Sequence, residues 1–260
     1  MKKFRYLLLL PVPLFTLWFC TSSSSVKSKE DNNLQTKTYM PVSKSVAVLE
    51  LFTSQGCSSC PAADRLLEKY STKDNVIALS FHVDYWNRLG WKDPYSSKDF
   101  TKRQYDYASA LNAGVYTPQL VINGQSEMVG SDARKIDNTL KKVWSQDHAS
   151  DVSIESAKLE NGKAIINYTL TGNTGNASLN IAIVEKKTMT AIKAGENGGV
   201  TLSGTNVVRN FQTLGNVKEG ANSYSIEMPD GVDKNNVSIV LYLQKSNNEI
   251  TAASQAAVSM

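Results

Sequence analysis

Two thiols three positions apart, in Cys57-Ser58-Ser59-Cys60-Pro61, are the groups of this chain whose type and spacing promise covalent chemistry. Such a pair can close into a disulfide and reopen by thiolate attack on sulfur. Zinc sites use the same spacing, so the flanking residues decide its meaning. Upstream, the apolar run 46–52 predicts a strand. Downstream, Pro61 suits the first turn of a helix, where no backbone N–H is needed, and Ala63, Leu66, Leu67 and Tyr70 recur at helical spacing. The order is strand, dithiol, amphipathic helix. Unpaired N–H groups and the positive dipole end at a helix start favour a thiolate. Cys57, preceded by Gly56, is expected to be the solvent-accessible attacking sulfur, and Cys60 the shielded, resolving one. Ser58-Ser59 supplies neither a histidine cation nor a proline constraint, which predicts a thiolate of moderate rather than extreme acidity.

The elements that must position these thiols follow from periodicity. A second apolar strand is predicted over 76–81, a Ser97-capped helix to about Leu111 with Phe100 and Ala108 on its inner face, and a strand over 119–123. Asn123-Gly124 predicts a hairpin turn into a strand over 126–129, and Ser131 a cap for a last helix with Ile136, Leu140, Val143 and Trp144 buried. This βαβα–ββα order is that of a thioredoxin fold. Beyond residue 150 the pattern turns to period two, with strands predicted over 152–156, 164–171, 179–184, 224–228, 237–243 and 250–258, and an Asn161-Gly162 turn. The expected fold class is an α/β thioredoxin-like N-terminal domain over 46–148 followed by an all-β, sandwich-like domain over 150–260.

Within that frame, Thr117-Pro118 lies between a helix and a strand, where a cis proline would border the dithiol and shape a groove for an extended substrate. Glu50, a charge inside an apolar strand, is a candidate proton relay for Cys60 or a strand-end glutamate paired with a lysine. His82, Asp84, Tyr85, Trp86, Trp91 and Asp93 crowd one loop. Tyr85 and Trp86 are candidates for a substrate-facing wall, while Trp91 fits an interface. His148 falls in the interdomain linker. The segment Gly195-Glu196-Asn197-Gly198-Gly199 lacks the Lys-Ser/Thr of a phosphate loop and reads as a loop touching the first domain. Arg209, after Val207-Val208, either pairs with an acid or faces outward.

Several motifs together resemble a bacterial family of secreted thioredoxin-like proteins of unknown function with a C-terminal β domain. They are Phe52-Thr53-Ser54-Gln55-Gly56-Cys57-Ser58-Ser59-Cys60-Pro61, His82-Val83-Asp84-Tyr85-Trp86-Asn87, Leu89-Gly90-Trp91-Lys92-Asp93-Pro94 and Val115-Tyr116-Thr117-Pro118-Gln119. Gly195-Glu196-Asn197-Gly198-Gly199 and Asn206-Val207-Val208-Arg209 extend the likeness to the C-terminal half. The resemblance implies a fold, not a reaction.

The 260 residues carry 28 basic and 24 acidic side chains, a formal charge of +4. Lys2, Lys3 and Arg5 belong to what reads as a leader; without them the balance is 25 against 24, which gives no electrostatic support for nucleic acid as a partner. That leader, 1–20, joins basic residues to an apolar stretch broken by Pro11 and Pro13 and ends at Cys20, in the manner of a lipoprotein signal, although Trp18 and Phe19 stand where small residues are usual. Residues 21–45 read as a disordered tether able to hold the folded part on the order of 30 Å from an anchor.

The expected activity is an exported thiol–disulfide oxidoreductase with Cys57 and Cys60 catalytic, no cofactor, and a thiol or disulfide protein as partner. The expected location is the periplasmic side of a bacterial membrane, held through a lipid on Cys20, or the secreted fraction. Two other classes compete. One is a carrier of copper or another soft metal using Cys57 and Cys60 with His82 or a methionine assisting; the other is an interaction protein whose disulfide is only structural. Mass spectrometry of the mature protein tests the leader: an acylated Cys20 as first residue is expected, and an unmodified terminus downstream of it overturns the lipoprotein reading.

Overall fold

The computed structural model describes residues 46–146, 150–172 and 174–259. The leader, Cys20, the tether and His148 lie outside them. Elements run β1 (Ala47–Thr53), α1 (Cys60–Ser71), β2 (Val76–His82), α2 (Lys98–Ala110), β3 (Gln119–Ile122), β4 (Ser126–Val129) and α3 (Ala133–Trp144). The C-terminal half adds β5 (Ser150–Glu160), β6 (Lys163–Gly172), β7 (Ala177–Ala191), β8 (Thr201–Leu214), β9 (Gly220–Glu227), β10 (Val237–Lys245) and β11 (Ile250–Ala257).

Local chemistry explains most boundaries. The Ser97 hydroxyl accepts from Asp99 N at the start of α2, and at α3 it is Asp132, not Ser131, that caps by accepting from Lys135 N. Asn123-Gly124 and Asn161-Gly162 take the positive φ angles their hairpin turns need. Trp144, expected in the buried stripe of α3, is 37% exposed.

The expected fold class is overturned. The described residues are mostly β, and no separate α/β thioredoxin-like domain stands apart. Strands from both halves join one eight-stranded mixed sheet, ordered β11-β10-β7-β8-β2-β1-β3-β4, and β5-β6-β9 form a second. The joint is the parallel pairing of β8 with β2 at Val207 and Ser80, reinforced by Asn206 Nδ2 donating to Ala78 O. An edge strand leaves a row of N–H and C=O groups unpaired. Here β2 meets β8 instead of ending the sheet.

Pleating sends alternate residues of β1 to opposite faces. Ala47, Leu49 and Leu51 pack with Leu67 and Tyr70 of α1 and Ile136 and Leu140 of α3. Val48 and Phe52 face the other way, toward Phe100 and Tyr107 of α2 and Val184, Val208 and Tyr242 of the C-terminal half. A third core fills the space between β5-β6-β9 and the outward face of β7, β10 and β11, with Ile154, Ile166, Ile181 and Leu241 among its members.

In the second of these cores Glu50 is buried, its Oε1 accepting from Arg103 Nε at 2.9 Å and Tyr242 Oη at 2.8 Å. Tyr107 Oη donates to Oε2. Arg103 lies 4.7 Å from the Phe211 ring and 4.9 Å from that of Tyr107. One carboxylate thus ties β1, α2 and β10 together. Replacing Arg103 by Met leaves that charge buried and unpaired, so urea unfolding should show a loss of about 3–5 kcal/mol. The double variant Glu50→Gln/Arg103→Met should lose less than the single one.

Candidate functional site

Cys57 and Cys60 form a disulfide with Cα atoms 5.4 Å apart. Cys60 opens α1, with Ser59 at its N-cap and Pro61 just inside. Ser59 Oγ lies 3.4 Å from Cys57 Sγ, placing a hydroxyl beside the sulfur that precedes the helix. Ser58 and Ser59 are exposed, but Cys57 and Cys60 are both 0% exposed. The expected solvent access to Cys57 is therefore absent, and its loop is contacted both by Trp86 and by the C-terminal half.

A strap formed by the β7–β8 connection closes over the dithiol loop. Asn197 Nδ2 donates to Gln55 O at 2.9 Å and to Cys57 O at 3.0 Å. Glu196 Oε2 accepts from Ser58 N at 3.0 Å, and hydrogen bonding by the Ser58 side chain, followed by that from its backbone, lowers the carboxyl's pKa. The strap is a closed hairpin end, with Ile192 N donating to Val200 O and Gly199 N to Ile192 O. Gly195 has φ 76°, and a Cβ there would come within 3.2 Å of Trp91 Cβ. Trp91 in turn donates Nε1 to Gln55 Oε1. The reading of Trp91 as an interface residue and of this segment as touching the first half fits what is seen.

On the other side, the Thr117-Pro118 peptide is cis. Trp86 links it to the dithiol loop: Nε1 donates to Thr117 Oγ1 at 2.8 Å, while its Cβ lies 3.2 Å from where a Cβ on Gly56 would stand. Pro118 accepts from Gly130 N, and a Cβ on Gly130 would sit 3.4 Å from Pro118 Cβ and 3.1 Å from Ala63 Cβ of α1. Tyr85 and Trp86 are half-buried, their rings 6.4 Å apart, and burial pushes the Tyr85 phenol up. Cys57, Cys60, Thr117, Pro118 and Trp86 thus belong to one neighbourhood.

Glu50 does not join it. The β1 pleat turns its carboxylate toward α2, whereas α1, which carries Cys60, packs on the opposite face. The acid associated with α1 is Asp64, one helical turn after Cys60. Burial raises its pKa to about 6, against a smaller opposing pull from His82. His82 Nδ1 lies 2.7 Å from Asp93 Oδ2, the oxygen that also accepts from Gln55 N. Burial works against an imidazolium at His82, but the Asp93 carboxylate outweighs it and the pKa is raised. Burial likewise opposes the Asp93 carboxylate, and His82 together with its hydrogen bonds lowers that pKa. Among the described residues no group of three or more His, Cys, Asp or Glu side chains has metal-holding geometry. Arg209 pairs with Glu185, and its guanidinium lies 5.0 Å from the Tyr95 ring.

Sequence reasoning missed Asp64, Glu196 and Asn197 as neighbours of the dithiol. Asp64 carried a signal, a carboxylate four residues after Cys60 on a helix; the strap contacts carried none, being 138 to 142 positions away in the chain.

Comparison with known proteins places these features in a family. A crystal structure of a protein from Agrobacterium tumefaciens is similar at 34% identity and a TM-score of 0.63, over 82% of this chain and 95% of that one. HBP35 of Porphyromonas gingivalis shares the fold at 16% identity and a TM-score of 0.59, over 83% of this chain and 76% of that one. No curated protein matches. The family described as protein of unknown function DUF1223 matches residues 48–244, which hold the dithiol, the cis-proline segment and the strap: the chain belongs to that family.

Proposed function

We propose that this protein is an exported thiol–disulfide oxidoreductase acting through Cys57 and Cys60. The observation that carries the reading is a closed disulfide at the first turn of α1, in the same neighbourhood as the cis Thr117-Pro118 peptide and with Asp64 one helical turn after Cys60. A partner thiolate attacks Cys57 Sγ, forming a mixed disulfide and expelling Cys60 as thiolate, which takes its proton from Asp64. A second thiolate of the partner then attacks the partner's sulfur in that bond. The partner's disulfide closes, and Cys57 leaves as a thiolate beside the Ser59 hydroxyl. Two electrons pass from the partner dithiol to Cys57–Cys60, and both thiols end protonated; the reverse sequence reduces a partner disulfide. Thr117 and Pro118 shape the partner's groove, with Tyr85 and Trp86 as its wall. The leader and tether suit an exported, lipid-held location, with Cys20 as the anchor.

Exchange with a reduced dithiol peptide, followed by mass spectrometry, tests this reading. Cys57→Ser should abolish exchange, and Cys60→Ser should accumulate a mixed disulfide on Cys57. Unchanged exchange by Cys57→Ser, or adducts on Cys60 in place of Cys57, would falsify the assignment.

Asp64 yields a separate expectation with a definite sign. Its folded pKa, about 6, stands above the ordinary value, so the native state holds this proton more tightly and loses stability as pH rises through 4 to 6. Asp64→Asn should then be more stable than the parent by on the order of 2 kcal/mol at pH 8, with the gap vanishing below pH 4. Urea midpoints at the two pH values measure it. The same variant should slow exchange, because Cys60 loses its proton donor.

A further inference from the structure

The strap meets three main-chain groups of the dithiol loop, Gln55 O, Cys57 O and Ser58 N, and Glu196 also engages the Ser58 side chain. It does so with a carboxamide N–H donor and a carboxylate oxygen acceptor, the two functions each residue of an extended peptide carries on its own backbone. We propose that Glu196 and Asn197 are a built-in stand-in for a substrate polypeptide, occupying the backbone positions beside the disulfide that an incoming extended peptide takes over. The identity of the displacing partner rests on the disulfide-exchange reading; the covering of the disulfide does not.

Three observations support displacement. Cys57 is 0% exposed, and the strap is hydrogen-bonded to Gln55 O, to the Cys57 carbonyl and to Ser58 N on either side of its sulfur, so opening these bonds frees the backbone that an incoming thiolate's chain would meet. The strap's remaining backbone bonds are internal to its hairpin end, with Gly198 N donating to Gly195 O and Val200 N to Asn197 O, so it can lift as a unit. Gly195 and Gly199, with φ 76° and 87°, provide turning points on either side of Glu196-Asn197. Leu89, whose carbonyl lies 3.5 Å from where a Gly195 Cβ would stand, and Val200 at the end of the strap are 47% and 49% exposed. They offer apolar shoulders to side chains flanking a substrate cysteine. The partner is therefore an unfolded or locally extended cysteine-containing polypeptide, not a small thiol.

Reduction of the disulfide in the full oxidised protein tests this. The probes are an acetylated, amidated pentapeptide with a central cysteine, the same peptide with its flanking amides N-methylated, and 2-mercaptoethanol. In the unmodified protein the N-methylated peptide should react about tenfold more slowly than its parent peptide, because it cannot supply the lost hydrogen bonds. Asn197→Ala should speed reduction by 2-mercaptoethanol about tenfold, and Glu196→Gln, at an exposed side chain that keeps its acceptor oxygen, about twofold. Equal rates for the two peptides overturn the stand-in. Equal rates for the parent and both variants overturn the covering. The peptide comparison alters no residue of the protein, so a misfolded variant cannot obscure it. If the strap variants accelerate reduction while Cys57→Ser leaves exchange between protein partners unchanged, the strap stands and the oxidoreductase reading falls.

Discussion

The pairing of β8 with β2 fixes the relation between the two halves of this chain. A strand edge has backbone donors and acceptors that water or another strand must satisfy. Here a parallel bridge at Ser80 and Val207, with Asn206 Nδ2 on Ala78 O 128 positions away, gives β2 a neighbour from far along the chain. β8 runs parallel to β2 and β1, so pairing alone would start it at the end of the sheet away from the dithiol loop. The β7–β8 ladder returns to that loop beyond Asn206, at φ 46°, and Gly204, and its connection meets Gln55, Cys57 and Ser58 through Asn197 and Glu196.

The buried Glu50–Arg103 pair belongs to the same joint. Taking two charges out of water costs several kcal/mol each, and their attraction offsets that only when the remaining polar atoms are also satisfied. Tyr107, Tyr242 and Gln244 supply those partners, and the guanidinium lies among the Phe81, Phe211 and Tyr107 rings. Such a network contributes little net stability over an apolar core of equal volume. It is costly to break, however, and it comes together only when β1, α2, β8 and β10 are correctly placed. Its chemistry therefore favours one docking of the halves over the alternatives.

The sequence displayed the parts better than the assembly. Strong periodicity made α1, α2, β1 and β2 legible, and the Asn-Gly pairs marked two hairpins. The fold class failed on β8, whose run Thr201-Leu202-Ser203-Gly204-Thr205-Asn206 has no apolar alternation and includes Asn206 at φ 46°. Gly204 there permits a close approach, since a Cβ would fall 2.6 Å from Thr188 Oγ1. A strand that reads as a loop cannot announce its neighbour, so two domains were expected where one sheet runs through both halves. At the site, the dithiol and Thr117-Pro118 were legible from residue type. Of the two readings of Glu50, the pleat rules out the relay, because one position along a strand turns a side chain to the opposite face, and the ion-pair reading holds with an arginine, Arg103, in place of a lysine.

The polar groups around the dithiol divide into two sets with opposing electrical consequences. Above the loop, Glu196 places a negative charge on the Ser58 N–H, one of the donors that would otherwise stabilise a Cys57 thiolate at the helix start. In the proposed displacement, the strap in this position therefore opposes a Cys57 thiolate by occupying one of the donors its field needs. Below, the Asp93–His82 pair is close to neutral as a unit and fixes the loop through Gln55 N, leaving Asp64 as the group there whose charge changes near pH 6. In the proposed exchange, a partner that displaces the strap would remove a carboxylate from the helix start as Cys57 comes into reach. Access and thiolate stabilisation would then rise together, which a disulfide shielded by apolar side chains alone could not achieve.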